Sequence, residues 1–192
     1  MKKLTKKTNK KVVAVAMVLL LLISVGYAAI STQLQITGTA NIAATSWDVH
    51  YGTITPSNGS VSATTGPSIS GNTISFAVTL EKPGDFYEFT VPVINAGTIN
   101  AKIAENGVTK SNLSPQEDIL ANYTVTYADG SAITAGDKLA KAGTTVGNVA
   151  QDTKTVKVRV EYDPSITAEQ LNAMGNSNVT LNLSFSLKYV QD

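Results

Sequence analysis

The sequence contains no cysteine and only one histidine, His50. The absence of cysteine excludes disulfides, thiolate metal sites and thiol nucleophiles. A single histidine excludes a His-Glu-x-x-His zinc site, and any Ser-His-Asp triad would depend on His50, which lies in a predicted strand. The Gly-x-Ser-x-Gly motif of serine hydrolases is also missing. We therefore predict that the chain is not an enzyme and binds no metal or other cofactor.

The first 29 residues combine a basic start, an apolar stretch and an end of small residues. Six lysines and no acid occur in the first eleven positions, and an unbroken apolar run follows from Val12 to Ile23. This order is typical of a cleavable secretory signal. Signal peptidase requires small side chains one and three residues before the cut, which Ala28 and Gly26 supply. We predict a signal peptide over 1–28, with Ala29 as the first residue of the mature chain.

The alternative is an uncleaved membrane anchor. The apolar run has about 12 residues, whereas a membrane-spanning helix needs roughly 20. We therefore expect contact with the membrane only through the signal peptide before cleavage, and a secreted protein at the cell surface or in the extracellular matrix.

Removal of the signal changes the charge of the chain. The full sequence has 15 Lys and Arg against 14 Asp and Glu, so loss of six lysines leaves 9 against 14, a net charge of −5. An acidic surface repels phosphate backbones, which excludes electrostatic nucleic-acid binding. The remaining 164 of the 192 residues suffice for one domain with a real core.

Alternating apolar and polar residues predict short β-strands throughout the mature chain. The clearest pattern runs from Val179 to Tyr189, with further segments at Trp47–Ile54, Asn72–Leu80, Phe86–Ile94, Ala101–Ala104, Tyr123–Tyr127 and Thr155–Tyr162. Period-two alternation with one buried face is typical of antiparallel sheets. We predict an all-β antiparallel sandwich over residues 47–192, in which Pro92 marks an edge strand or a bulge.

Two short helices and a long loop complete the prediction. Ser114-Pro115 with Glu117 forms a helix-starting capping box, and Thr167 with Gln170 forms another. The polar stretch Lys138–Asp152 predicts a loop, and the pair Gly66-Pro67 predicts a turn.

Residues 29–46 form a polar leader between the signal and the first strong strand. Its large apolar side chains include Ile30, Leu34 and Ile36, of which the last two lie on one face of an extended chain. The segment has three interpretations: a flexible leader, a strand of its own sandwich, or a donor strand that pairs with the sheet edge of another copy.

Three sets of short motifs resemble the TasA and camelysin group of exported Gram-positive proteins, which SipW-type signal peptidase processes. The first is the signal exit Gly26-Tyr27-Ala28-Ala29. The second is the turn Leu80-Glu81-Lys82-Pro83-Gly84-Asp85 with Phe89-Thr90-Val91 and Asn95-Ala96-Gly97-Thr98-Ile99, and the third is the terminal strand Leu181–Leu187. In this set Pro83, Gly84 and Asp85 form the most specific motif.

The resemblance implies a jelly-roll sandwich and a structural subunit of an extracellular biofilm-matrix fibre. Subunits of that kind join head to tail when the N-terminal segment of one enters the sheet of the next, which places the donor strand at Ala29–Gly38. The expected partners are other copies of the chain, a SipW-type signal peptidase and an accessory fibre protein. Two alternatives remain: a monomeric surface adhesin or binding module, and a camelysin-type metalloprotease, for which the chain has only His50.

Overall fold

The computed structural model describes residues 10, 11, 13–20, 44–57, 59–173 and 178–192. The chain divides into two units, Met1–Ala43 and Ala44–Asp192. In the first unit, residues 10, 11 and 13–20 are helical and exposed. Among the residues described, no helix is both long and apolar enough to cross a membrane.

The second unit is built almost entirely from strands. Its two short helices are α1 (Pro115–Leu120) and α2 (Ala168–Ala173). The strands of its described part are β1 (Val49–Tyr51), β2 (Thr55–Pro56), β3 (Ala63–Ser70), β4 (Thr73–Leu80), β5 (Phe86–Asn95), β6 (Ala101–Lys110), β7 (Ala121–Tyr127), β8 (Lys138–Leu139), β9 (Thr145–Val146), β10 (Val149–Ala150), β11 (Thr153–Tyr162) and β12 (Val179–Gln191).

These strands form two antiparallel sheets and a separate β9–β10 hairpin. The first sheet has the order β1-β5-β11-β7, with β2 also paired to β5, and the second has the order β3-β4-β12-β6-β8. Successive strands from β4 to β8 alternate between the sheets, as do β11 and β12, which is the arrangement of a jelly roll. The predicted all-β sandwich with short decorating helices is confirmed.

The core lies between the sheets because each long strand turns alternate side chains inward. In β12, Val179, Leu181, Leu183, Phe185 and Leu187 are buried, which is the face that the sequence alternation predicted. Phe76 of the second sheet meets Phe89 of the first edge-to-face, with ring centroids 5.1 Å apart. The two sheets therefore share one apolar cluster.

Pro92 is inside a sheet and β5 keeps a continuous register with β11, so the prediction that Pro92 marks an edge strand or a bulge is wrong. Its strand, β5, pairs with β11 on one side and with β1 and β2 on the other. The Pro92 carbonyl accepts a hydrogen bond from the Gly52 N–H at 2.8 Å, so the proline nitrogen faces the interval between β1 and β2. A missing donor is tolerated there because no strand residue lies opposite to accept its bond.

Two other predictions need correction. Gly66 and Pro67, which the sequence suggested as a turn, lie within β3, where the pairing with β4 shifts register. The stretch Lys138–Asp152, predicted as a loop, contains β8, β9 and β10. Gly147 and Asn148 form the hairpin turn with φ values of +56° and +66°.

The helix starts are confirmed. The Ser114 Oγ accepts a hydrogen bond from the Glu117 N–H, while the Glu117 carboxylate accepts one from the Ser114 N–H at 2.7 Å. Thr167 and Gln170 form the same reciprocal pair at α2. Both boxes satisfy N–H groups that the first helical turn leaves without partners.

Candidate functional site

The predicted cleavage residues Gly26, Ala28 and Ala29 lie outside the described part of the chain, and so do the predicted donor residues Ile30, Leu34 and Ile36. Within the described part, the sandwich offers three features that bear on function: the two turns that carry the motifs, an open sheet edge, and a pocket beside β1.

The Pro83-Gly84-Asp85 turn ties three parts of the sandwich together. The buried Asp85 carboxylate accepts hydrogen bonds from the N–H groups of Glu81 and Lys82 at 3.1 and 3.0 Å and from Ser60 Oγ at 3.3 Å. Gly84 has a φ of +88°, a conformation that favours glycine. The Tyr162 N–H donates to the Asp85 carbonyl at 2.7 Å, which joins the turn to the end of β11. The motif is structural.

The Asn95-Ala96-Gly97-Thr98-Ile99 stretch, which we call the Asn95 clamp, also has a structural role. The Asn95 side chain is 1% exposed. Its Nδ2 donates to the carbonyls of Ile99 and Leu139 at 2.9 and 3.4 Å, and its Oδ1 accepts from the Gly97 N–H at 3.0 Å. A Cβ on Gly97 would lie 2.6 Å from the Ser46 carbonyl oxygen, so only glycine lets the chain entering β1 approach this closely.

The free edge of the first sheet is β7. It pairs with β11 through seven residues in continuous register. The Ala128 N–H donates to the Thr155 carbonyl, and the Tyr123 carbonyl accepts from Lys110 Nζ at 3.0 Å, so the backbone groups of odd-numbered residues point away from β11. On that outer side a single bridge joins Thr126 to Ala132. The outward N–H groups of Tyr123 and Val125 thus have no hydrogen-bond partner among the described residues, whereas the Tyr123 carbonyl is already bound by Lys110.

Partly buried apolar side chains on β7 and on segments near it in the chain pack against the core. They come from β6, from β7 and from the segments that follow them: Val108, Leu113, Val125 and Ile133. The opposite edge of the second sheet is β3, whose register shifts twice along β4 and which contains Pro67. Bulges and proline protect an edge against strand addition, whereas β7 is regular. The β7 edge is therefore the better template for an added strand.

The pocket lies beside β1, where this strand faces the second sheet. In the order of the first sheet, β1 and β7 are at opposite ends. The pocket has a volume of about 230 Å³, and its lining includes Trp47, His50, Asn72 and Lys188. Tyr51 forms its floor and joins the sheets: its hydroxyl accepts from the Leu187 N–H at 3.0 Å and donates to the Asn72 carbonyl at 3.2 Å. Burial raises the pKa of the Tyr51 phenol to about 12, despite the opposing bond from Leu187.

His50 lies at the rim of this pocket rather than in a catalytic arrangement. Its Nδ1 is 2.7 Å from Asp48 Oδ1, and both side chains are about half exposed. The described residues contain no group of three or more His, Asp or Glu side chains placed to hold a metal ion.

The pocket has little local signal in the sequence, because Trp47, Asn72 and Lys188 come from three distant segments. The one local signal for the pocket is the only tryptophan of the chain, which follows a polar leader and begins a short predicted strand.

Comparison with known proteins adds no relative. No protein-family model matches the chain, and no curated protein sequence matches it. The resemblance to the TasA and camelysin group therefore rests on the short motifs alone.

Proposed function

We propose that this chain is an exported structural subunit of an extracellular fibre, and that it assembles head to tail by donor-strand exchange. After signal cleavage at Ala28, the segment Ala29–Gly38 of one copy pairs with the β7 edge of the next. The observation that carries the proposal is the regular edge of β7, whose outward N–H groups at Tyr123 and Val125 have no partner among the described residues, in contrast to the interrupted edge of β3.

The donor segment and the β7 edge are complementary in their hydrogen-bonding groups and in their apolar faces. An added strand gains hydrogen bonds of about 1 kcal/mol each from the outward N–H groups of Tyr123 and Val125. Leu34 and Ile36 share one strand face, as do the inward side chains of Tyr123, Val125 and Tyr127, so the donor turns its apolar side towards the same core. Burial contributes roughly 1.5–3 kcal/mol for each large aliphatic side chain. Because donor and acceptor are different surfaces, the contact does not close on itself and propagates.

Charge variants of the donor test this mechanism. We expect the mature chain carrying Leu34→Asp and Ile36→Asp to remain a folded monomer, because two charges would enter an apolar seam. The matched control carries Gln33→Asp and Gln35→Asp, which add the same charge on the opposite strand face and leave assembly intact. Negative-stain electron microscopy and sedimentation measure the polymer. Normal fibres from a chain that lacks Ala29–Gly38 would refute donor-strand exchange.

A second pair of variants tests the acceptor edge. Val125→Pro removes an N–H that points away from β11, so it blocks strand addition without removing a hydrogen bond of the sheet. Val125→Ala shortens the side chain but keeps the N–H, and we expect it to polymerise. A Val125→Pro chain still carries its donor segment, so it should terminate fibres of the unmodified chain when mixed in small amounts. If Val125→Pro polymerises as Val125→Ala does, the acceptor is another edge. An unmodified mature chain that stays monomeric at high concentration would contradict the proposal and favour a monomeric binding module.

A further inference from the structure

The pocket beside β1 presents an exposed aromatic surface that the fibre proposal does not use. Trp47 is 46% exposed, although its neighbours Val49 and Tyr51 pack against the core. The backbone on either side of Trp47 is held by the loop that contains Gly97. The Thr98 N–H donates to the Ser46 carbonyl at 3.0 Å, and the Ala96 N–H donates to the Asp48 carbonyl at 2.8 Å. The backbone that carries the ring is therefore fixed.

Polar groups line the pocket around this ring. The Asn72 side chain makes no hydrogen bond to another described residue, while its backbone carbonyl is held by the Tyr51 hydroxyl. Lys188 Nζ forms no ion pair within the described part of the chain. His50 uses Nδ1 to contact Asp48, which leaves Nε2 as the nitrogen available to a ligand. An amide, an ammonium and an imidazole thus come from residues that line the same pocket as Trp47.

This combination fits a sugar better than an apolar or a strongly charged ligand. A pyranose ring has an apolar face of C–H groups that packs on an aromatic plane, and a rim of hydroxyls that need both donors and acceptors. Lys188 lines the pocket, and Asp48 contacts His50 at its rim, so charges of both signs lie close to the site and do not select an anion. The cavity of about 230 Å³ accommodates one ring and is open to solvent for the rest of a chain.

We propose that this pocket binds a neutral pyranose unit of a polysaccharide, with the ring stacked on Trp47 and its hydroxyls bound by Asn72, Lys188 and His50. The site is on the opposite side of the sandwich from β7, so sugar binding and strand addition do not compete. The proposal stands independently of fibre assembly.

The single tryptophan makes the test direct. The mature chain is titrated with cellobiose, maltose and N,N′-diacetylchitobiose while the emission of Trp47 is followed. We expect a saturable shift with at least one of the three, because stacking removes water from the indole. Titrations of the variants are followed by NMR of the sugar, which needs no tryptophan. Trp47→Ala should weaken binding by about tenfold or more, Trp47→Phe should keep part of it, and Asn72→Ala should weaken it several-fold.

The control variant is Ile119→Ala, which truncates another exposed apolar side chain on α1, away from the pocket. It should bind as the unmodified chain does, and circular dichroism checks that every variant is folded. Three results would overturn the proposal: no saturable change with any of the three disaccharides, stronger binding of a polyanion than of the neutral sugars, or Trp47 emission that depends on protein concentration without sugar. The last result would assign the surface to a second copy of the chain. Because fibre formation is measured separately, either proposal can fail alone.

Discussion

The replacement Asn95→Asp exchanges a side-chain amide for a carboxyl group and should strongly lower the unfolding free energy of the sandwich. The Asn95 amide donates two hydrogen bonds to carbonyls, those of Ile99 and Leu139, and accepts one from Gly97. An aspartate of the same shape keeps the acceptor but loses both donors, and it places a carboxylate against two carbonyl oxygens in a site that is 1% exposed. The lost bonds cost about 1 kcal/mol each, and a buried charge without a partner adds several more. We expect a total loss of about 3–5 kcal/mol of unfolding free energy at neutral pH.

The size of the loss should depend on pH in a defined direction. Burial beside carbonyl oxygens raises the pKa of the introduced carboxyl in the folded state above its unfolded value of about 3.9. Stability is therefore retained below the unfolded pKa, where a protonated carboxyl can donate to one carbonyl, and is lost as the pH rises through the folded pKa. Urea denaturation followed by circular dichroism at several pH values measures both effects.

The matched control is Asn100→Asp, at an exposed position on the same loop. The Asn100 Oδ1 accepts from the Lys141 N–H at 3.0 Å, and an aspartate keeps that acceptor. We expect a change within about 0.5 kcal/mol. If Asn95→Asp were as stable as Asn100→Asp at neutral pH, the Asn95 amide would not be the clamp that joins β5, β8 and the entry to β1.

Two further predictions concern stability and local structure. Burial raises the pKa of six tyrosines: Tyr51, Tyr87, Tyr123, Tyr127, Tyr162 and Tyr189. Since the folded pKa values exceed the unfolded value of 10.0, the tyrosines contribute their full stabilisation below pH 10.0, and this contribution falls as the pH rises through 12 and beyond. A melting temperature that stays constant over this range in differential scanning calorimetry would contradict the burial of these tyrosines. Gly97→Ala places a Cβ 2.6 Å from the Ser46 carbonyl oxygen and 2.9 Å from the Asp48 nitrogen, so it should push the chain at Trp47 outward. A red shift of Trp47 emission in a variant that remains folded is the expected result, and unchanged emission counts against the close approach.

The sequence predicted those elements whose cause is local. The alternation from Val179 to Tyr189 identifies β12 because one face of the strand is buried along its whole length. Ser114 and Glu117 identify α1 because the capping box acts within four residues.

Other elements depend on contacts that the local sequence does not show. β3 is mostly exposed and contains Gly66 and Pro67, so it has no alternation; it is a strand because β4 supplies a partner. The position of Pro92 is tolerated because β1 ends and β2 begins opposite it, an arrangement set by the β1–β5–β2 pairing. The pocket is a product of the fold, since Trp47, Asn72 and Lys188 meet only when β1, the β3–β4 turn and the end of β12 come together.

The place of β12 has a consequence for the order in which the chain can fold. It lies between β4 and β6, and its Thr180 pairs with Thr79, so the middle of one sheet cannot form before β12 is present. Pairings between such distant residues are slow to form. A chain synthesised from its N-terminus therefore leaves β4 and β6 without the partner that lies between them until β12 has emerged.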